Sequence, residues 1–261
     1  MRPSKFFNGK IITPTEVIDK VTVLVSEEGN LAYVGSPENA PPCQGQAFDL
    51  QGRFLVPGFI DIHVHGGYGV NFNHTRDLAK NIKKYAQWAA SKGVTGFLCT
   101  LAAPTHADLV NLIDAYRPVF EAETTGAELL GLHLEGPYLN KHEKKGAFEP
   151  SWLREPSIEE VKAYIDTGGP WLRQMTIDPA LPNASTVASI LRAAGVVAAL
   201  GHTNMDYEMA VQALRTDFSH VTHIFNAQSG FSHRAPGVIG AVLSSDHVTT
   251  ELIADSIHVH P

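Results

Sequence analysis

Two cysteines in 261 residues, Cys43 and Cys99, are too few for a disulfide framework and point to a reducing compartment, the cytoplasm. No apolar run approaches the ~20 residues of a membrane span. The opening stretch MRPSKFFNGK lacks the apolar segment of a signal peptide. Basic residues are outnumbered, 20 Lys and Arg against 27 Asp and Glu. They form no run or arm, so there is no electrostatic footprint for nucleic acid. Low-complexity tracts and short-period repeats are missing too. What the chain does have is 44% hydrophobic content, enough for a sizeable core, and 13 histidines.

Residues 1–57 read as a small β domain. Val21, Val23 and Val25 alternate, the chain turns at Glu28-Gly29-Asn30, and Leu31 and Tyr33 return, a hairpin pattern. A Pro-rich loop, PENAPPCQGQ, follows. From residue 58 to 261 the rhythm changes to strand-like runs separated by helical stretches. The runs are FIDIHVH, VTGFLCTL, ELLGLHLEGP, LRQMTIDP, GVVAALGHT, HVTHIFN and TTELIADS. Helices are expected within 75–93 and near 106–123, 157–168, 183–194 and 206–215. Alternating β and α predicts a parallel sheet covered by helices, and seven units in about 200 residues favour a (β/α)8 TIM-type barrel. No glycine-rich dinucleotide fingerprint supports an open doubly wound sheet instead. One strand short of eight, the barrel reads as truncated after strand seven.

Barrels of this kind carry functional groups at the C-terminal ends of their strands. There stand His63 and His65, Glu135, His202, and His223, the last placed within strand six. Strand alternation puts His63 and His65 on one side. Taken singly, each has an ordinary reading. Chance alone gives roughly 0.6 His-x-His triplets in such a composition, and His202 and His223 resemble strand-end histidines satisfied by a hydrogen bond, the reading given to His133 and His220. A charged residue ending an apolar strand, as Glu135 does, is costly unless paired or metal-bound. Five ligand-type residues at the same ends of four strands predict a divalent metal site. Four imidazoles and a carboxylate suit Zn²⁺, and a carboxylate can bridge two ions, so one or two ions per chain are expected.

The order PGFIDIHVHGG, LGLHLEGPYLN, KKGAFEP, ALGHT, THIFNAQS, HRAPGVIGAVL, ELIADSIHVHP resembles the N-acetylglucosamine-6-phosphate deacetylase family of the amidohydrolase superfamily, from about residue 5 onward. The resemblance implies metal-dependent removal of acetyl from a 6-phosphorylated amino sugar in amino-sugar catabolism. It implies a small β-sandwich domain, homodimerisation, and ligand roles for Glu135, His202 and His223, with His63 and His65 the extra pair of two-metal members. It further implies that Asn226 and the Ala227 backbone bind phosphate, that Arg234 clamps it across a dimer interface, and that His258 contacts substrate. Protonating the leaving amine requires a general acid. The family's acid is an Asp ending the eighth strand, which has no match here; Asp255, ending strand seven, is only a weak candidate.

Departures from the family pattern bear on the sugar. Phe148 stands where members carry a substrate-contacting His, and His142, in a loop one residue longer, is the candidate to replace it. Ala180 stands where members carry Glu. Losing a polar contact to a sugar can change specificity strongly. Two other readings therefore stand beside the first: a deacetylase for another acetamido-sugar phosphate, such as the galactosamine epimer, and an inactive remnant that binds metal or ligand. A dihydroorotase- or urease-like hydrolase would need a Lys at the end of strand four, where MTIDP has none.

Overall fold

Alternating valines build the first sheet. The computed structural model describes residues 2–122 and 125–261, and the chain divides into two compact units, Met1–Phe59 and Ile60–Pro261. In the first, β1 (Ser4–Ile12), β2 (Val17–Val25), β3 (Leu31–Gly35), β4 (Gln46–Asp49) and β5 (Phe54–Leu55) form one sheet in the order β3-β2-β1-β4, with β5 also pairing β1. The expected hairpin forms: β2 and β3 are antiparallel, with Val25 opposite Leu31 and Leu24 opposite Tyr33. Gly29 takes φ +85° in its turn, a conformation favouring glycine. Val21, Val23 and Leu24 are its buried large side chains.

β6 (Phe59–Val64) starts the second sheet. A two-stranded ribbon, β7 (Gly66–Gly67) and β8 (Val70–Asn71), follows. Then come α1 (Leu78–Ala90), β9 (Val94–Leu101), α2 (His106–Ala115), α3 (Arg117–Phe120), β10 (Glu128–Glu135), α4 (Ile158–Gly168), β11 (Leu172–Ile177) and α5 (Ala184–Ala193). The last elements are β12 (Val197–Leu200), α6 (Tyr207–Leu214), β13 (His220–Val221), α7 (Gly237–Leu243) and β14 (Thr249–Thr250). Seven strands pair in the order β14-β13-β12-β11-β10-β9-β6, and the pairings from β9 to β14 are parallel.

That sheet is strongly curled. Strands lie about 4.8 Å apart, so six steps across a flat sheet would separate β6 from β14 by roughly 29 Å. Yet His63 Nδ1 on β6 lies 2.7 Å from Glu251 Oε2, one residue past β14. The two edge strands face each other across a shared interior, as a partial TIM barrel requires.

Helices cover the outer face with apolar stripes; on α1 the buried residues are Leu78, Ile82, Tyr85, Ala86 and Ala89, at helical spacing. Side chains fix several helix starts. Thr105, Ser157 and Asp206 accept hydrogen bonds from the backbone N–H of Asp108, Glu160 and Met209.

Three expectations change. The helix expected over 106–123 breaks into α2 and α3, because Pro118 has no N–H to continue the ladder. His223 lies two residues beyond β13 rather than within a strand: its φ of +28° is incompatible with extension, and its backbone N–H is drawn 3.2 Å to Glu251 Oε2. Asp255 does not end a strand. It lies five residues past β14 in an exposed bend, where its own carboxylate binds the local backbone.

Candidate metal centre

The five strand-end residues converge. Glu135, at the end of β10, is 5% exposed and sits among four imidazoles. Its Oε1 lies 3.0 Å from His202 Nε2, 3.1 Å from His223 Nε2 and 3.4 Å from His63 Nε2. Its Oε2 lies 2.9 Å from His65 Nε2. The potential ligand atoms form two overlapping groups, His63–His65–Glu135 and Glu135–His202–His223, with Glu135 common to both. The second group is buried throughout; the first is open on one side, since the His65 side chain is 49% exposed.

The chain holds these groups with local devices. After His65 the ribbon turns through Tyr68 and Gly69, both with positive φ, the pattern of a two-residue type I′ turn. A Cβ on Gly66 would meet the Val70 carbonyl oxygen at 2.2 Å, so only glycine lets the strands pair there. His202 and His223, with Phe225 and Ala227, have φ between +28° and +79°. Such conformations cost about 1–3 kcal/mol each and persist where the surroundings over-determine them. Here they swing two imidazoles off the ends of β12 and β13 onto Glu135.

Hydrogen bonds set the ring faces. His202 Nδ1 donates to the Lys144 carbonyl at 2.7 Å, and a carbonyl only accepts, so the proton is on Nδ1. His63 Nδ1 likewise donates to the Glu251 carboxylate. In the neutral rings, both Nε2 lone pairs then face Glu135. His202 Nε2 and His223 Nε2 are also 3.1 Å apart. Lone pairs this close to each other and to a carboxylate repel unless a cation lies among them, so the donor set fits a divalent ion.

Electrostatics agree. Burial opposes ionisation of Glu135, but the side chains of His202, His223, His63 and His65 around it hold its pKa well below the usual carboxylate range. For His63, burial opposes protonation, yet the Glu135 and Glu251 carboxylates raise its pKa to about 10. An ion entering at His63 Nε2 must displace that proton.

The other named residues are more dispersed. Asn226 and Ala227 follow His223 on the same loop, where the Ala227 carbonyl accepts from the Thr203 N–H at 3.1 Å. Arg234 is exposed beyond that loop. His142 is exposed, its N–H bound to Asn140 Oδ1. His258 pairs at 2.6 Å with Asp255 rather than with the cluster. Backbone and side-chain hydrogen bonds lower the Asp255 pKa to about 2. Phe148 lies edge-on to His202, with ring centroids 5.5 Å apart.

Glu251 was not anticipated, nor were Gln174 and His220 as its partners. Its only trace in the sequence is the one Glu135 left: a carboxylate interrupting an apolar run, here TTELIA.

Similarity to known proteins matches this geometry. The chain is 34% identical over 255 residues to N-acetylglucosamine-6-phosphate deacetylase of Bacillus subtilis, covering 96% of this chain and 63% of the relative. It is 35% identical over 222 residues to the Homo sapiens protein of that name, covering 82% and 54%. Among solved structures, the deacetylase of Mycobacterium smegmatis, as a mutant in complex with N-acetyl-D-glucosamine-6-phosphate, superposes with a TM-score of 0.87 at 30% identity, covering 99% of this chain and 65% of that one. The Pasteurella multocida enzyme gives 0.84 at 32%, covering 98% and 66%. The chain thus spans less than two thirds of the length of these relatives. Residues 54–261 match the amidohydrolase family, and with four imidazoles gathered on one strand-end carboxylate, the chain belongs to that family.

Proposed function

We propose that the chain is a metal-dependent hydrolase that deacetylates N-acetylglucosamine 6-phosphate to glucosamine 6-phosphate and acetate, with zinc as its ion. The observation that carries this reading is the buried Glu135 ringed by His63, His65, His202 and His223, in a chain whose relatives bear that activity as their name. A divalent ion bound there supplies Lewis-acid polarisation of the amide carbonyl and acidifies water to near neutrality. Glu135, His202 and His223 would hold one ion, and His63 and His65 with Glu135 a second.

The chain's own residues place the substrate. Asn226 and the Ala227 backbone, a few residues past His223, are in reach to orient a phosphate beside the centre. Arg234, exposed and without an ion pair among the described residues, is available as the guanidinium clamp a phosphate dianion needs, from one protomer to its partner in a homodimer. His258, and His142 from the 140–149 loop, complete the sugar contacts. Asp255 is a weak base at a pKa of about 2 and is engaged by His258, so we leave the proton transfer to the amine outside it.

The same reading makes residues 58–261 part of a (β/α)8 barrel whose free edges, β6 and β14, take an eighth strand. Residues 1–57 are then one layer of a β-sandwich, and the enzyme works in the cytoplasm. Phe148 against His202 favours one alternative, the galactosamine epimer as substrate. Acetate release by the zinc-loaded chain from both sugar phosphates, side by side, tests the activity and its sugar. Turnover of the glucosamine compound is expected; turnover of the epimer alone moves the specificity. Zinc binding with no turnover of either leaves a ligand-binding remnant and overturns the proposal.

A further inference from the structure

Glu251 is a heavily contacted carboxylate of the interior that is not a potential ligand. Its Oε2 accepts from His63 Nδ1 at 2.7 Å and from the His223 backbone N–H at 3.2 Å. Its Oε1 accepts from Gln174 Nε2 at 2.7 Å and from His220 Nε2 at 3.0 Å. His220 is itself aimed by Thr249, whose hydroxyl lies 2.7 Å from its Nδ1. Four donors fill the roughly four lone-pair sites of an ionised carboxylate. Glu251 has no lone pair left for an ion, and neither potential ligand group includes it.

Its effect is on its neighbours. A proton held on His63 Nδ1 leaves Nε2 as the one atom of that ring able to ligate, and Nε2 is the atom that faces Glu135. The two ligand groups differ in how they are held. The closed group is buried, with His202 pinned by the Lys144 carbonyl, and Glu251 reaches it at the His223 backbone N–H rather than at a ring. The open group has the half-exposed His65, whose one ion pair among the described residues is with Glu135. Its orientation therefore depends on His63, and His63 on Glu251.

We propose that Glu251 is a positioning residue that sets the occupancy of the open ion site, His63–His65–Glu135, by fixing the His63 tautomer, while the closed site, whose rings it does not touch, depends on it less. This rests on the metal-site part of the function proposed above and reaches beyond it. Its action spans the opening of the sheet: the residue after the last strand prepares a ligand on the first.

The test is metal titration of the 261-residue chain, stripped with a chelator and titrated with Zn²⁺ against a chromophoric competitor. Wild type should bind two ions. In Glu251→Gln the weaker ion should lose about 10- to 100-fold in affinity, the range for loss of an outer-shell partner, with the tighter ion changing at least tenfold less. Equal affinities in variant and wild type, or a wild type that takes a single ion, overturn the proposal and leave the metal reading standing. A wild type that takes no ion sinks both. Should the variant fail to fold, histidine-¹⁵N spectra of zinc-loaded wild type decide alone. A proton on His63 Nδ1 with metal on Nε2 supports the proposal, and the opposite tautomer overturns it.

Discussion

Gly146 offers a direct test of how the His202 ring is held. It has φ +59°, and a Cβ placed on it would lie 2.8 Å from His202 Cε1 and 3.4 Å from Nδ1. Gly146→Ala carries two separable penalties. The left-handed backbone costs a residue with a Cβ about 1–2 kcal/mol. The contact is some 0.7 Å or more inside an ordinary carbon–carbon distance of about 3.5–4.0 Å. The ring cannot yield freely, since Lys144 holds Nδ1 and Glu135 faces Nε2. Gly195→Ala isolates the first penalty: φ there is +77° with nothing within 4 Å of the added carbon. Gly195→Ala should lose about 1–2 kcal/mol in urea denaturation of the metal-free chain, and Gly146→Ala more, because the ring contact adds to the backbone cost. Only Gly146→Ala should also weaken the tighter zinc ion, by about 10-fold or more, in competitive titration. If Gly146→Ala loses stability like Gly195→Ala and keeps its zinc affinity, the loop rather than the ring gives way, and the account of His202 is wrong.

Three further outcomes follow from the site. Zinc affinity at the open site should rise about tenfold per pH unit between pH 6 and 9, because the ion displaces a proton from His63, whose pKa is about 10; a flat profile would show that His63 does not ligate. Acidification should destabilise the metal-free chain. The Glu135 and Glu251 pKa values are depressed, so their contribution is present above the unfolded value of about 4.5 and is lost as pH falls through the folded values. Asp61 and Asp178, raised mainly by burial, act with the opposite sign, so melting temperatures that climb from pH 5 to pH 3 would mean the aspartates dominate. On the proposed function, Arg234→Lys should raise KM for the sugar phosphate about tenfold with zinc content unchanged, since an ammonium cannot reproduce the planar fork. An unaltered KM removes Arg234 from the phosphate site.

What the sequence disclosed depended on whether a feature is local. β6, β9, β10, β11 and β12 are apolar runs and could be read directly, whereas the two-residue strands β7 and β8 could not. The short β13 and β14 were readable as apolar runs but not in extent, because residues 222–227 are held by turn geometry and by Glu251 rather than by a ladder. α7 escaped notice for a physical reason: GVIGAVL is buried at Gly237 through Val242, so it has no polar face to create a helical period. His63, His65, Glu135, His202 and His223 were visible because one rule, strand ends on one face of a barrel, finds them one at a time. Glu251 was not, because its role is defined by its partners. They lie 188, 77, 31 and 28 residues away, at His63, Gln174, His220 and His223, and only the curl of the sheet joins them.

The layer beneath the cluster shows why so many polar groups can sit inside this sheet. Barrel interiors are usually filled by Val, Ile and Leu. Here His133 Nδ1 lies 3.1 Å from Thr100 Oγ1, its Nε2 lies 2.7 Å from Thr176 Oγ1, and that hydroxyl lies 2.7 Å from Thr222 Oγ1. Burial drives the His133 pKa well below its ordinary value, so the ring is neutral, one nitrogen donating and the other accepting. The layer is hydrogen-bonded without carrying charge. Glu135 and Glu251 would then offset part of the positive charge of any cation that the imidazoles hold. Replacing Thr176 would remove hydrogen bonds worth about 0.5–1.5 kcal/mol each. Replacing Glu135 would take away the carboxylate common to both ligand groups, a cost of about 3–5 kcal/mol.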